Sequence, residues 1–219
     1  MTAYRDIGLL EAAGAVKLDR GMVTAASVSM TDLSSTMRAD QARAAKEAFA
    51  GPIAEIIAPS SSIIADDSSS VLPGLDAVTD SSPTTIITNS LAVLRLVGSR
   101  PHVTLHIVGG EYYPWSDSFY GANTTDAIYG FEADYCLMSD SAISSGYLCN
   151  PHTYVASTKR AMLDIAKTKI FLADRSKFDK RAPVRTAHIG LFDYIITEKG
   201  TREHITDLCR EHEVEIIEV

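Results

Sequence analysis

Residues 62–70 read SIIADDSSS, a short apolar run that ends in two acidic residues and three serines. The run Ser62–Ala65 is long enough for one buried strand, and the polar residues after it are typical of a turn into a helix. Similar runs recur along the chain, and we predict seven strands: Ser62–Ala65, Thr84–Thr88, Val103–Val108, Tyr135–Met138, Ile170–Ala173, Tyr194–Thr197 and Val214–Val219. Helical patterns lie between most of them: Leu91–Val97, Thr124–Phe131, Tyr154–Lys169 and Arg202–His212. This alternation predicts an α/β fold with a mainly parallel sheet flanked by helices.

The overall composition argues against several classes of protein. The chain has 219 residues and a net charge of −8, whereas a domain that reads duplex DNA alone usually carries a basic surface. No stretch approaches 18 uninterrupted apolar residues, so we expect no membrane span. The early charges Arg5, Asp6 and Glu11 do not fit a signal peptide, which predicts a cytoplasmic protein.

The cysteines and histidines give little support for a metal site or a disulfide framework. The three cysteines, Cys136, Cys149 and Cys209, are odd in number and form no CxxC pair, which favours reduced thiols. The six histidines include no HExxH motif. We therefore predict no metal and no cofactor.

The first part of the chain differs from the rest. Ile7 and Leu10 are spaced for one helical face, Gly14 suits a helix end, and Val16 and Leu18 alternate as in a short strand. We predict a small unit at residues 1–23, a linker at 24–36 and one larger domain at 37–219. The larger domain begins with an alanine-rich helix at 40–58, which the Gly-Pro pair at 51–52 kinks or splits.

The serines after the first strand of the larger domain form a candidate anion site. In parallel sheets, ligands bind beyond the carboxyl ends of the strands. Ser68, Ser69 and Ser70 open the next helix, where backbone N–H groups, the helix dipole and hydroxyl donors converge. Ordinary N-capping by serine explains the same residues, and for this tract alone both interpretations stay open.

Three further strand ends carry residues of the same kind. Asn89 follows the second strand, and Gly109 and Gly110 follow the third, although a helix cap and a tight turn would explain them without a ligand. Lys177 follows the strand at 170–173 and reaches far enough to contact a phosphate, while Asp174 beside it suits either an ion pair or a sugar hydroxyl. Because four strand ends carry polar or glycine residues that suit ligand binding, we favour the ligand interpretation.

Two other features have no chemical assignment from the residues alone. The charged residues of 154–169, which include Lys159 and Arg160, are interpreted as a solvated helix face without a role in a site. The segment Tyr112–Gly121 carries five aromatic residues and suits a lid over a pocket, a subunit contact or a loop folded onto the core. Of these we favour the subunit contact.

Several motifs together resemble the DeoR family of transcriptional regulators. The segment at 4–16, YRDIGLLEAAGAV, resembles the end of the family's recognition helix and the turn into its wing. The spacing of apolar residues from Lys46 to Asp66 matches the family pattern without a gap. The segments ITNS at 87–90, VGGEYYPWSDSFYG at 108–121 and LADRSKF at 172–178 resemble further family motifs, in the expected order.

The resemblance implies a transcriptional regulator with an effector-sensing domain that is similar to sugar-phosphate isomerases. Such a domain binds a phosphorylated sugar or related metabolite and is a homo-oligomer, a dimer or tetramer, without membrane partners. The implied effector-binding residues are Asp66, Ser68, Ser69, Ser70, Asn89, Gly109, Gly110 and Lys177. Ser68 replaces a glycine of the family's loop, and Ser69 and Ser70 replace threonines.

The N-terminal segment is implied to be the last part of a winged helix-turn-helix. Tyr4 and Arg5 fall on its DNA-binding positions, and residues 1–22 carry no net charge. We therefore expect this chain alone to bind DNA poorly, with operator DNA a partner of the full-length protein only.

A sugar-phosphate isomerase or deaminase is the alternative function. An enediol mechanism needs a carboxylate base and a group that stabilises the oxyanion. Asp66, Asp67 or Asp174 together with Lys177 would supply both. Because an isomerase has no use for a recognition-helix fragment, we predict that the protein is not an enzyme.

Overall fold

The computed structural model describes residues 4–8, 16–19, 21–25, 38, 40–80, 82–200 and 203–219. Leu10, Gly14 and residues 26–36, on which part of the predicted helix, its end and most of the linker fall, lie outside these ranges. The strands are β1 (Val16–Asp19), β2 (Met22–Ala25), β3 (Ser62–Ala65), β4 (Thr84–Thr88), β5 (Val103–Ile107), β6 (Glu111–Tyr113), β7 (Ser118–Tyr120), β8 (Ala133–Met138), β9 (Ala142–Ser144), β10 (Tyr147–Asn150), β11 (Ala166–Ala173), β12 (Val184–His188), β13 (Tyr194–Thr197) and β14 (Glu215–Glu218). The helices are α1 (Arg43–Ala48), α2 (Ala50–Ile56), α3 (Leu72–Thr79), α4 (Leu91–Val97), α5 (Ala122–Ile128), α6 (Thr153–Asp164) and α7 (Glu203–Glu211).

Seven parallel strands form the central sheet, in the order β14-β13-β11-β8-β3-β4-β5. These are the seven strands that the apolar runs predict, and the α/β fold class is confirmed. The apolar runs do not alternate in polarity because both faces of the sheet are covered. Ile63 points to one face and Ile64 to the other, and both are fully buried.

Each face of the sheet has its own apolar core. Helices α1 to α4 cover one face, where Phe49 and Leu75 pack against strand residues such as Ile63. Helices α5 to α7 cover the other face, where Met162 packs against residues such as Ile64. None of the described helices is long and apolar enough to cross a membrane.

The strand order reverses between β3 and β8. From β3 the chain builds outward through β4 to β5, and it then returns to place β8 on the other side of β3. At such a reversal the connections leave in opposite directions, which opens a crevice beyond the carboxyl ends of the two strands. Asp66 and Ser139 follow β3 and β8 and therefore lie at this crevice.

Several boundaries differ from the predicted ones. The predicted helix at 154–169 ends at Asp164, and its last four residues are instead the start of β11. The predicted helix at 40–58 is split at Phe49, which puts Pro52 in the first turn of α2, where a missing N–H costs nothing. The helix expected after the serine tract is α3, which begins two residues after Ser70, whereas the β6–β7 hairpin and the small antiparallel sheet β12-β10-β9 were not predicted.

The N-terminal segment contains a helical stretch and a hairpin. Residues 4–8 are helical, and both Tyr4 and Arg5 are exposed. Strands β1 and β2 pair in antiparallel fashion around Gly21, whose φ of 82° suits glycine. Strand β2 extends to Ala25, two residues beyond the predicted end of the N-terminal unit.

Candidate anion-binding site

A buried ion pair lies at the centre of the crevice. The carboxylate of Asp66 accepts hydrogen bonds from the amide and hydroxyl of Ser68, at 2.9 and 2.6 Å, and from the amide of Ser139 at 3.1 Å. The ammonium group of Lys159 also donates to it, and donates to the carbonyl oxygen of Ser139 at 2.9 Å. Although burial alone would lower the pKa of Lys159, the carboxylates of Asp66 and Asp67 raise it. Lys159, on helix α6, therefore keeps its positive charge and links Asp66 at the end of β3 with Ser139 at the end of β8.

A second ion pair, between Asp67 and Arg38, lies beside the first. The Nη2 atom of Arg38 is 3.2 Å from Oδ2 of Asp67, and Nζ of Lys159 is 3.7 Å from Oδ1 of the same carboxylate. Burial opposes ionisation of Asp67, but Lys159 and Arg38 hold its pKa below the ordinary value. Both carboxylates after β3 are thus paired with cations.

Lys46 brings a further cation to the same place from helix α1. It is 5% exposed, and its ammonium group donates to the hydroxyl of Ser69 at 2.9 Å and to the carbonyl oxygen of Arg38. The Ser69 hydroxyl donates to that carbonyl at 3.1 Å. Burial and, after it, the neighbouring charge of Lys177 lower the pKa of Lys46 to about 8.

Lys177 joins this group from the other side of the crevice. It lies in a short 3₁₀ turn, Arg175–Asp179, that begins after β11, and Asp174 caps this turn by accepting from the amide of Ser176 at 3.0 Å. Burial lowers the pKa of Lys177, and the nearby charges of Lys180 and Arg38 lower it as well. The carboxylate of Asp174 opposes this lowering of the Lys177 pKa, so cations and carboxylates are near one another on this side of the site. We call Arg38, Lys46, Lys177 and Lys180 the cationic cluster.

The serine tract is not the helix cap that the simpler interpretation required. Helix α3 begins at Leu72, and its N-cap residue Val71 makes no side-chain cap. The Ser68 hydroxyl is used by Asp66, the Ser69 hydroxyl contacts Lys46, and Ser70 is buried. The tract therefore forms a turn that is fixed by charged groups at the crevice.

Asn89 and the glycine pair lie further along the same edge. Ser90, and not Asn89, caps helix α4, while the Asn89 amide donates to the carbonyl oxygen of Phe119 at 2.7 Å. Gly110 packs so tightly that a Cβ there would overlap Thr124 Oγ1, whereas a Cβ at Gly109 would meet nothing within 4 Å. The structure gives Gly110 a packing role, and a direct ligand contact by Gly109 or Gly110 stays a prediction.

The aromatic segment folds onto the domain itself. The ring of Tyr113 stacks on that of Tyr154 in helix α6, with the ring centroids 4.5 Å apart. The ring centroids of Trp115 and His152 are 5.1 Å apart. The Cζ atom of Arg38 is 5.6 Å from the centroid of the Trp115 ring. Tyr120 is buried, and Tyr112 is 43% exposed. The segment thus forms one wall of the crevice, and most of its aromatic surface is already covered.

Several buried polar atoms have no hydrogen-bond partner within the described part of the chain. They are Arg38 Nε, Asn89 Oδ1, Tyr120 Oη, Ser139 Oγ, Asp140 Oδ2 and Thr186 Oγ1. Buried polar groups normally have partners, so a cluster of orphaned ones indicates a place that a polar ligand fills. Asn89 follows β4, Ser139 and Asp140 follow β8, and Arg38 is paired with Asp67 after β3, so four of the six residues lie at the crevice.

These groups divide into two kinds by chemistry. The cationic cluster offers N–H donors and positive charge, which suit a phosphate or another anion. The orphaned hydroxyl, amide and carboxylate oxygens accept hydrogen bonds, as sugar hydroxyls require. No group of three or more His, Cys, Asp or Glu side chains among the described residues could hold a metal ion.

Several residues of this site were not predicted, and two of them, Lys159 and Lys46, left a signal in the sequence. The solvated interpretation of Lys159 is wrong: it is 3% exposed, and its spacing from Val155 and Met162 places it on the buried face of α6. Lys46 likewise shares one face with Phe49. Asp140 stands just after β8, whose end was not among the four strand ends predicted to bind a ligand. Nothing in the sequence marks Arg38 as a site residue.

Comparison with known proteins gives a consistent result. The family described as the DeoR C-terminal sensor domain matches residues 41–199. The transcriptional repressor AccR of Agrobacterium fabrum is 30% identical over 203 residues, which cover 92% of this chain and 79% of the relative. The glycerol-3-phosphate regulon repressor of Escherichia coli is 25% identical over 172 residues, 78% of this chain and 68% of that protein. A solved eIF2B-beta2-delta2 complex from C. thermophilum matches 78% of this chain and 61% of its own, with a TM-score of 0.54 at 16% identity, which shows a shared fold.

Proposed function

Because the chain belongs to the DeoR family of transcriptional regulators through its C-terminal sensor domain, we propose that residues 37–219 bind a phosphorylated sugar or a related metabolite. Binding of this effector controls the affinity of the full-length protein for operator DNA. Residues 1–23 are the part of the DNA-binding unit that this chain carries. The exposed Tyr4 and Arg5 face the DNA, and the β1–β2 hairpin is the wing.

The observation that carries the proposal is the cationic cluster in a chain of net charge −8. Burial lowers the pKa of Lys46 and of Lys177, and neighbouring cations lower each of them further than the nearby Asp174 alone would allow, so an added anion would favour the charged form of both lysines. A phosphate bound among them would accept charge-assisted hydrogen bonds. The amides at the start of α3 add donors on the β3 side.

The orphaned acceptors support the sugar part of the proposal. Asn89 Oδ1 and Ser139 Oγ are buried without partners, and hydroxyl groups of a sugar or polyol would bond to them. A relative of this chain is named for the glycerol-3-phosphate regulon, which fits a small phosphorylated polyol as the effector class. Asp66 acts in this proposal by holding Ser68 and Lys159 in place.

The isomerase alternative rests on one residue. The carboxylates of Asp66 and Asp67 are held in ion pairs with Lys159 and Arg38, which makes them poor proton acceptors for a carbon acid. Burial raises the pKa of Asp140, which favours proton acceptance, as a general base requires. An isomerase assay with sugar phosphates therefore has a defined control in Asp140→Asn. We propose that the protein senses its ligand without converting it, so wild-type turnover that this variant abolishes would contradict the proposal.

A thermal-shift panel of phosphorylated sugars with their unphosphorylated parents tests the effector class. A ligand that binds only the native state raises the melting temperature in proportion to its affinity and concentration. Lys177→Ala should weaken a phosphorylated ligand about tenfold or more and leave its parent nearly unchanged. Lys167→Ala, which removes an exposed lysine at the opposite end of β11, is the matched control. Equal losses for both ligands would contradict the assignment of Lys177 to the phosphate.

A further inference from the structure

The central sheet has two edge strands that differ in charge. At one edge, β14 carries the exposed carboxylates of Glu215 and Glu218, and charged side chains discourage pairing with another chain. At the other edge, β5 has the sequence VTLHI, without aspartate, glutamate, lysine, arginine or proline. Within the described part of the chain, β5 pairs with β4 alone. The sheet is therefore protected by charge against strand addition at one edge only.

The outer side of β5 offers backbone groups at alternate residues. The carbonyl oxygen of His102 accepts from the amide of Thr84 at 3.3 Å, and the amide of Val108 donates to the carbonyl oxygen of Thr88 at 2.9 Å. Because the backbone groups of a strand alternate in direction, the even-numbered residues of β5 bond to β4 and the odd-numbered ones face away from it. Leu105, at the centre of the strand, thus directs both its N–H and its C=O to the outside.

These outward groups are self-complementary. When two copies of β5 run antiparallel with Leu105 opposite Leu105, the two leucines exchange both of their backbone hydrogen bonds. In the same register, the amide of Ile107 in each copy reaches the carbonyl oxygen of Val103 in the other. The amide of Val103 is not needed for this contact, since it donates to the carbonyl oxygen of Arg100 in its own chain at 3.1 Å.

The exposed side chains of β5 fit the same register. Thr104 and His106 are both exposed, and each lies opposite the other in the second copy. They occupy positions without backbone hydrogen bonds, where cross-strand side chains are closest. A hydroxyl group and an imidazole share a hydrogen bond readily, and no like charges meet.

The opposite face of β5 is apolar. Val103 and Leu105 pack against the core beneath helices α1 to α4, and they and Ile107 are half-buried at the edge. Helix α4 packs beside β5 and leaves Leu94 37% exposed. Removal of this apolar surface from water favours association at the β5 edge.

We propose that β5 is the self-association surface of this protein: β5 of a second copy adds to it antiparallel, about a two-fold axis at Leu105, and joins the two seven-stranded sheets into one. A two-fold contact needs the same residues on both sides, and the fit of this strand to itself therefore selects a second copy over an unrelated strand. The inference goes beyond the effector site and does not depend on it.

Charges at the two exposed positions test the register in the full chain. Thr104→Lys with His106→Lys sets a lysine opposite a lysine twice and should raise the dissociation constant about tenfold or more, measured by sedimentation equilibrium. Thr104→Lys with His106→Glu sets a lysine opposite a glutamate and should restore association. Glu215→Lys, at the β14 edge, is the control and should leave the dissociation constant unchanged.

Cross-linking checks which residues meet. An equimolar mixture of Thr104→Cys and His106→Cys should form a disulfide-linked dimer on mild oxidation, because the Cα atoms of such facing residues lie about 4.5 Å apart. Each variant alone should cross-link far less, since a residue lies roughly 7–8 Å from its own counterpart across the axis. The three native cysteines are buried and should not take part.

Each outcome supports or overturns the proposal. A monomeric wild type overturns it, and so does a dimer whose dissociation constant the two lysines leave unchanged. If both double variants are folded monomers, the antiparallel register is wrong and the proposal fails. Loss of association with the two lysines, recovery with lysine and glutamate, and a cross-link that needs the mixture support it. Recovery also shows that substitution at these two positions is tolerated by the fold.

Discussion

At the scale of single residues, the buried Lys159 is the most consequential side chain. Its ammonium group is surrounded by oxygens of Asp66, Asp67 and Ser139, which replace the water that the charge has lost. A buried ion pair adds little net stability compared with apolar residues, but removing one partner leaves an uncompensated charge. The pair therefore fixes the geometry of the crevice more than it strengthens the fold.

Lys159→Met should lower the free energy of unfolding by about 3–5 kcal/mol, because Asp66 would stay buried without its counter-ion. The double variant Asp66→Asn with Lys159→Met should recover much of this loss. Urea denaturation followed by circular dichroism measures both. Lys167→Met, whose partner Asp134 is at the surface, should leave the midpoint almost unchanged. A single variant as stable as the wild type would contradict the role of the pair.

Lys46 gives the site a pH dependence. Its pKa of about 8 means that the ammonium group loses its proton as the pH rises through 8, so the affinity for an anion falls. Between pH 7.5 and 9.5, where a sugar phosphate keeps its charge, we expect affinity to fall by about tenfold or more. Lys46→Arg keeps the charge and should show a much smaller fall over this range by calorimetry. An equal fall in both proteins would assign the titration to another group.

These two lysines also show where sequence reasoning reached its limit. Lysine is almost never fully buried, so a lysine in a helix is assigned to water by default. For Lys46 and Lys159 the helical spacing indicates the opposite, because each shares a face with buried apolar residues. Ser69 and Lys177 could be selected because they follow strands. Arg38 could not, since its position depends on contacts with residues distant in sequence.

At the scale of elements, the strands of the main sheet are predictable because each is an apolar run bounded by polar residues. Ser62–Ala65, Thr84–Thr88 and Tyr194–Thr197 are found with their predicted bounds. The start of β11 was missed because the sequence AKTK at 166–169 continues the helical pattern of α6. The hairpin strands β6 and β7 have three residues each, too few to show a period.

The β6–β7 hairpin depends on one glycine. Gly110→Ala should destabilise the protein by about 1–3 kcal/mol, since its Cβ would overlap Thr124 Oγ1 and lie 2.7 Å from the carbonyl oxygen of Tyr120. Gly109→Ala is the matched control, because a Cβ there meets nothing within 4 Å. Thermal denaturation of the two variants compares them directly. Equal stability would show that the hairpin adjusts without cost.

At the scale of the whole molecule, we expect self-association. A regulator that reads paired half-sites needs a two-fold partner, so light scattering at micromolar concentration should give at least twice the chain mass of 23.6 kDa. The exposed glutamates Glu215 and Glu218 discourage pairing at the β14 edge. Because Trp115 is packed against its own domain, Trp115→Ala should leave this mass unchanged and weaken ligand binding. A monomer mass for the wild type would contradict the expectation.

The reversal of strand order between β3 and β8 also has a consequence for the order of folding. Strands β3 to β5 are joined by short crossovers, but β3 meets β8 through pairs such as Ser62 with Asp134, 72 residues apart, and the residue after β3 meets helix α6 through Asp66 with Lys159, 93 apart. Closing such long loops costs entropy before any contact repays it, so each half of the sheet should assemble before the two meet. The boundary between β3 and β8, which we call the seam, then forms last in folding, and it is the boundary that carries the candidate site. Local opening of the native protein along this seam would expose the crevice while both halves keep their cores.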